Sequence, residues 1–247
     1  MIPIKEEHEI AKMHKAGRIL AEIMEVLGPL VKAGITTQDL DKAAVSTMAR
    51  FKVKSAFKNY QGYPGNICVS VNEEVVHGIP GPRRIETGDI VSLDIGIELD
   101  GYFVDMAKTF PAGKVDAQKE RLMEVASRSL DEAIKKMKPG NKLFDVSYAV
   151  QKYVEANKFS VVRNFVGHGI GRELHEDPQV PNYGIPNTGP VLREGMVLAI
   201  EPMINAGSWE VVILKDGWTA VTKDKKPSAH FEHTVAVLKN GPQILTQ

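Results

Sequence analysis

The sequence predicts an α+β fold with internal pseudo-twofold symmetry, an antiparallel sheet inside and helices outside. Three observations point to it. Pairs of amphipathic helices alternate with groups of apolar strands. Two segments of the first half recur in the second at nearly one offset. No low-complexity or Ser/Gly-rich linker interrupts the 247 residues. That length suits one large domain or two small ones, and 43% apolar residues supply a substantial core. We read a single domain over 1–247, with duplicated halves at roughly 5–110 and 116–240.

The elements follow in order. Ile10, Met13, Ile19, Leu20, Ile23, Met24, Leu27 and Leu30 recur at helical spacing, so residues 5–32 read as an amphipathic helix. A second helix is predicted at about 37–51, opened by a TTQD sequence resembling a capping box. Strands follow at ICVSVN, IVSLDIGI and YFVDMAKTF. The second half repeats the order, with helices near 116–137 and 143–158 split by Pro139-Gly140. Strands are then expected at SVVRNFV, MVLAIEPMI, VVIL and HTVAVLK. IETGDIVSLD (85–94) lies over LREGMVLAIE (192–201) at offset 107, and KAGITTQDLDKA (32–43) over KPGNKLFDVSYA (138–149) at offset 106. Two matches in the same order suggest a duplicated α+β unit.

Composition excludes several function classes. Lys+Arg and Asp+Glu are equal at 31 each, so no net field argues for direct nucleic-acid binding or an anionic membrane. The lone cysteine, Cys68, forms no intrachain disulfide and fits a reducing compartment. The start, MIPIKEEHEI, lacks the apolar core of a signal peptide, and no apolar run approaches the ~20 residues of a membrane helix. The expectation is a soluble, cytoplasmic protein.

The chemistry begins in IVSLDIGIELDGYFVDMAKTF (90–110), where Asp100-Gly101 is a strong hairpin signal. With Asp100 and Gly101 as the loop, Gly96 pairs with Asp105; with Leu99 and Asp100 as the loop, Asp94 faces Asp105 directly. In either register the two aspartates share one face. Their Cβ atoms would lie roughly 5 Å apart if opposite, about 7–8 Å if diagonal. Glu201 ends a strand in MVLAIEPMI, in the slot that the duplication gives to Asp94, and Glu232 precedes TVAVLK. Two carboxylates 4 Å apart repel by ~4 kcal/mol at an effective dielectric of about 20. A converging set therefore requires protons or cations.

His168 supplies a fifth donor. Four carboxylates and an imidazole form a hard set whose charge balances two divalent ions, and a structural zinc site would prefer thiolates. Two metals roughly 3.5–4 Å apart are a known device for hydrolysis. In GHGIGRELHEDP (167–178), glycines allow a tight return that brings His175 over the cavity of His168. There a second imidazole can donate a hydrogen bond to a developing oxyanion. His77 leaves its strand at a Gly-Ile-Pro turn and suits the same role. His8, His14 and His233 read as ordinary surface or core histidines. His230 shares the face of Glu232 and stays open.

These residues resemble the type I methionine aminopeptidases, the short form of the pita-bread metallopeptidases. YQGYPGNICVSVNEEVVHGIP, SLDIGIELDGYFVDMAKTF, GHGIGRELHEDPQVPNYG, GMVLAIEPMI and DGWTAVTKDKKPSAHFEHTVAV match the family's pattern in order over nearly the whole chain. The resemblance implies the pita-bread fold, a curved antiparallel sheet with helices on its outer face, as a single catalytic domain. It implies that Asp94 chelates one divalent ion, that His168 and Glu201 bind the other, and that Asp105 and Glu232 bridge them. The ions would be Co, Fe, Mn or Zn. Glu201 would act as general base, His175 would stabilise the oxyanion, and His77 would contact the scissile amide. Tyr60, Tyr63, Cys68 and Trp218 match positions lining the methionine pocket, where aromatic edges and a polarizable thiol suit a thioether. Leu174 departs from the aromatic residue that often precedes the second histidine in the family. A monovalent-cation loop would involve Asn72 and Ser228, largely through backbone carbonyls.

The implied reaction removes the initiator methionine from nascent chains whose second residue is small. The partners would be nascent N-termini, with the ribosome expected from that substrate and a monomer as the default state. Met1-Ile2 should therefore stay intact; N-terminal sequencing checks this, and a purified chain lacking Met1 would count against the rule. The alternatives are a proline-type pita-bread peptidase and a non-enzymatic binding module on the same fold.

Overall fold

Helices α1 (Glu7–Leu27) and α2 (Thr37–Phe51) open the chain, and α3 (Ala117–Ile134) and α4 (Leu143–Ala156) open its second half. At the head of α2 the Thr36 hydroxyl accepts from the Asp39 N–H at 3.1 Å, while the Asp39 carboxylate accepts from the Thr36 N–H at 2.9 Å. This is the reciprocal capping that TTQD predicted. At the head of α4 the Asp145 carboxylate accepts from the Lys142 N–H in the same way, at 2.9 Å. The likeness of the halves extends to their first backbone bridges, Thr36 with Arg84 and Lys142 with Val191. The computed structural model describes residues 2–247, so the expectation for Met1 lies outside the described residues.

Ile90–Leu99 and Tyr102–Pro111 form the long hairpin of the first half. Asp100 and Gly101 both take positive φ, 54° and 77°, the turn whose twist matches the flanking strands. Leu99 therefore pairs with Tyr102, Gly96 with Asp105, and Asp94 with Ala107. The diagonal register holds. Helix α1 packs on both strands, burying Met13, Leu20, Ile23 and Leu27. Each such side chain contributes about 1.5–3 kcal/mol. One core unites this half with Val197, Ala199, Ala236 and Leu245 of the other, and a second core lies under α3 and α4.

The strand pairs are antiparallel, in sheets of four, three, three and five strands among the described residues. Two expected strands prove to be broken. SVVRNFV yields only Ser160–Val161, and His168 sits in the middle of a separate strand, Gly167–Gly169, rather than ending the first. Between them, Arg163 turns outward onto Tyr183 and Trp209, while Asn164, Phe165 and Val166 line a cavity. MVLAIEPMI divides into Val197–Ile200 and Met203–Asn205. Pro202, which has no N–H to give a ladder, stands in the gap. Val197–Ile200 pairs with His233–Leu238, and Met203–Asn205 with Ser228–His230. Glu201 thus lies at the seam of two sheets.

Hydrogen bonds between the halves seat the residues of this seam. Thr234 Oγ1 accepts from the Asp105 N–H at 2.9 Å and donates to the Asp105 carbonyl at 2.8 Å. The Glu232 N–H donates to the Ala107 carbonyl at 2.9 Å. These bonds fix Asp105 and Glu232 side by side across the seam.

Candidate active site

The seam floors a cavity of about 270 Å³ whose walls include Asp94, Asp105, His168, His175, His77, Glu201 and Glu232. Asp94, Asp105, His168 and Glu232 are buried. Asp105, His168 and Glu232 each offer a donor atom within 4.8 Å of the others, a spacing that fits a metal ion. Asp94 and Glu201 line the same floor outside that tightest trio. His168 Nε2 lies 3.6 Å from Glu201 Oε1. The five predicted ligands are together.

Their electrostatics call for protons or a cation. Burial first, then the charges of Asp105 and Glu201, pushes the Asp94 carboxyl well above its ordinary range. Glu201 and Glu232 are raised for the same reasons, burial and then Asp105. Asp105 is raised to about 7 by burial, against the pull of the Met106 N–H on its carboxylate. Asp94 Oδ1 and Glu232 Oε1 have no hydrogen-bond donor. Orphaned carboxylate oxygens at this depth are costly unless protonated or bound to a cation. The donor set of four carboxylates and one imidazole fits divalent metal.

The imidazoles are prepared for different tasks. His168 Nδ1–H donates to the Gly169 carbonyl at 2.9 Å, leaving the Nε2 lone pair toward the carboxylates. Burial lowers its pKa to about 3, so the ring is neutral and able to ligate. The His175 ring stands edge-on to it, centroids 4.2 Å apart. The Tyr60 hydroxyl lies 2.7 Å from His175 Nδ1. With Tyr60 donating, the neutral ring carries its proton on Nε2. His77 is held at φ 60°, a strained conformation for a side chain of this size, and packs edge-on against Phe165. Burial lowers its pKa to about 4.

Beside this floor the cavity turns apolar. The Tyr63 hydroxyl donates to the carbonyls of Gly78 at 3.0 Å and Ile67 at 3.2 Å, and its ring meets Trp218 edge-on at 5.2 Å. Burial, then the charge of Asp94, holds the Cys68 thiol well above its usual range, so it stays protonated and polarizable. Leu174 forms part of the wall, as an aliphatic surface. Sequence reasoning missed Phe57, Gln61, Val76, Asn164 and Phe165. Only the positive φ of Gln61, 47°, marks any of these as unusual, and no sequence signal announces it. Away from the cavity, the Ser228 N–H donates to the Asn72 carbonyl at 2.8 Å, which brings together the two residues of the expected cation loop. His8 lies exposed beside Glu6, His14 lies near Gln243, and His233 bonds Thr246.

A cleft at a sheet seam, with buried carboxylates and neutral imidazoles on its floor, defines a metal-dependent hydrolase. The sequence model of metallopeptidase family M24 matches residues 11–239. The chain is 51% identical to the methionine aminopeptidase of Clostridium perfringens over 246 residues, covering 100% of this chain and 99% of that one. It is equally 51% identical to methionine aminopeptidase 1 of Bacillus subtilis, covering 100% of both. The crystal structure of the Thermotoga maritima methionine aminopeptidase superposes with a TM-score of 0.98 at 49% identity, over 100% of both chains. The chain belongs to metallopeptidase family M24, in the branch of the methionine aminopeptidases.

Proposed function

We propose that this chain removes the initiator methionine from nascent proteins whose second residue is small. The observation carrying this reading is the joining of two unlike surfaces in one cavity. A carboxylate and imidazole floor adjoins an apolar wall of Tyr63, Cys68 and Trp218. The wall suits the thioether of methionine. Tyr60 lines the same cavity and holds His175.

Asp94, Asp105, His168, Glu201 and Glu232 would hold two divalent ions, Co, Fe, Mn or Zn. When bound, such ions supply Lewis acidity and make a water nucleophilic at neutral pH. In this reading Glu201 takes a proton as the water oxygen attacks the first peptide carbonyl. His175 Nε2–H donates to the oxygen that gains charge, and His77 contacts the scissile amide. The C–N bond then breaks, and the proton held by Glu201 goes to the departing amine. Asn72 and Ser228 are proposed to flank a monovalent cation. The full span 1–247 is read as one catalytic domain acting as a monomer in the cytoplasm, where ribosomes present the substrate. No helix of the described residues is long and apolar enough to cross a membrane.

The test is hydrolysis of Met-Ala-Ser, Ala-Ala-Ser, Met-Leu-Ser and Ala-Pro by chelator-stripped protein, with Mn(II) or Co(II) titrated back. Cleavage of Met-Ala-Ser alone, restored by metal, is the expected result. Turnover of Ala-Pro would transfer the protein to the proline-type peptidases. Metal binding without any cleavage would leave a binding module.

A further inference from the structure

His230 is an anomaly in a well-satisfied interior. Its side chain is 2% exposed, and neither ring nitrogen has a hydrogen-bond partner. Buried polar groups are nearly always paired, so an orphaned imidazole calls for a reason. Its backbone leaves the ring little freedom. The His230 N–H donates to Thr109 Oγ1 at 2.9 Å, and the Thr109 hydroxyl donates back to the His230 carbonyl at 2.9 Å. The residue is also paired with Met203 across the strand that follows Glu201. So fixed, the ring places Nε2 3.5 Å from Glu201 Oε2.

Glu201 is therefore bracketed, with His168 Nε2 at 3.6 Å from one carboxylate oxygen and His230 Nε2 at 3.5 Å from the other. The two imidazoles differ in what they can do. His168 commits its Nδ1 proton to the Gly169 carbonyl, so its Nε2 is a lone pair. His230 has no such commitment, and its Nε2 is free to carry the proton. A carboxylate gains from a donor on its second oxygen, and a modest rotation of Glu201 would close 3.5 Å to the usual 2.7–3.2 Å.

We propose that His230 is a positioning residue, whose Nε2–H donates to Glu201 Oε2 and so turns Glu201 Oε1 toward the metal cluster. The inference rests on the proposed role of Glu201 as ligand and base. Outer partners of metal ligands are worth about 10–100-fold in metal affinity or activity.

The test compares His230→Gln, whose amide can still reach and donate, with His230→Asn, too short to reach, and His230→Leu, which cannot donate. Calorimetric titration of each chelator-stripped protein with Mn(II), the Co(II) visible spectrum and steady-state kinetics with Met-Ala-Ser are measured. Expected for Asn and Leu are metal affinity and kcat each lower by about 10–100-fold with KM little changed, and an altered Co(II) spectrum. The Gln variant should stay near the wild type in all three. If Leu does not fold, the Gln–Asn contrast decides alone. Equal metal affinity and kcat across the folded variants overturns the proposal, as does X-ray absorption showing one imidazole fewer on the metal in His230→Gln. A wild type that binds metal but spares Met-Ala-Ser would sink the proposed function instead, while the metal-affinity contrast would still test His230.

Discussion

Replacing His168 with alanine is expected to cut metal binding and peptidase activity together, whereas His175→Ala should cut activity alone. The two rings touch, with centroids 4.2 Å apart, so position does not separate them. Their hydrogen bonds do. His168 gives its Nδ1 proton to a carbonyl and presents a lone pair among the carboxylates; His175 Nδ1 faces a phenol which, when it donates, leaves the ring proton on Nε2. Losing His168 breaks the trio with Asp105 and Glu232, so metal affinity should fall by more than the ~100-fold at which outer partners are valued. Losing His175 removes one donor to the developing oxyanion, a cost of about 10²–10³ in kcat, with calorimetric metal affinity within a few-fold of the wild type. Equal loss of metal by both variants would show that the assignment of the two rings is wrong.

The second large effect is on stability. Metal-free protein is expected to hold a plateau of stability between roughly pH 4 and 6.5 and to weaken above it, and bound Mn(II) should remove the weakening. The signs follow from two opposed sets of groups. His168 and His230 titrate at about 3, and His77 and His233 at about 4, all below the usual 6.5. Below pH 6.5 the unfolded chain therefore binds more protons at these sites, and stability rises with pH until that value. The carboxyls act the other way. Asp105 keeps its proton to about 7, and Asp94, Glu201 and Glu232 are held well above their ordinary values, chiefly by burial. Each carboxyl still protonated in the fold but ionised in the unfolded chain costs about 1.4 kcal/mol per pH unit. Between roughly pH 4 and 6.5 the sets offset each other; above 6.5 only the carboxyls act. Metal requires the ionised carboxylates, so the gap in melting temperature between loaded and chelated protein should widen from pH 6.5 to 8.5. A constant gap across that range would mean that the cluster is not buried with its protons.

Much of this centre was legible because its parts obey local rules. Asp-Gly set the hairpin, and alternation put Asp94 and Asp105 on one face before their register was known. The offset between halves gave Glu201 the slot of Asp94, and the glycines around His168 signalled a tight return to His175. The rest depended on packing between distant segments. Asn164 and Phe165 reach the cavity because the chain leaves its strand after Val161, and Phe57 because it leaves another after Ser55; nothing periodic marks either departure. Short strands such as Lys54–Ser55, Glu74–Val76 and Ser228–His230 exist only through their partners. His230 shared a face with Glu232 by alternation, but which carboxylate it would meet was decided by the break at Pro202.

The stitch at Thr234 has a consequence for how the protein comes into being. The clustered groups emerge from synthesis in the order Asp105, His168, Glu232, and the bonds that seat Asp105 come from Thr234, later still. A half-made chain thus carries the hairpin and its helix but no completed centre. The trio is complete only with the strand His233–Leu238 beside Tyr102–Pro111. Until then the chain lacks the arrangement of donor atoms that fits a metal ion.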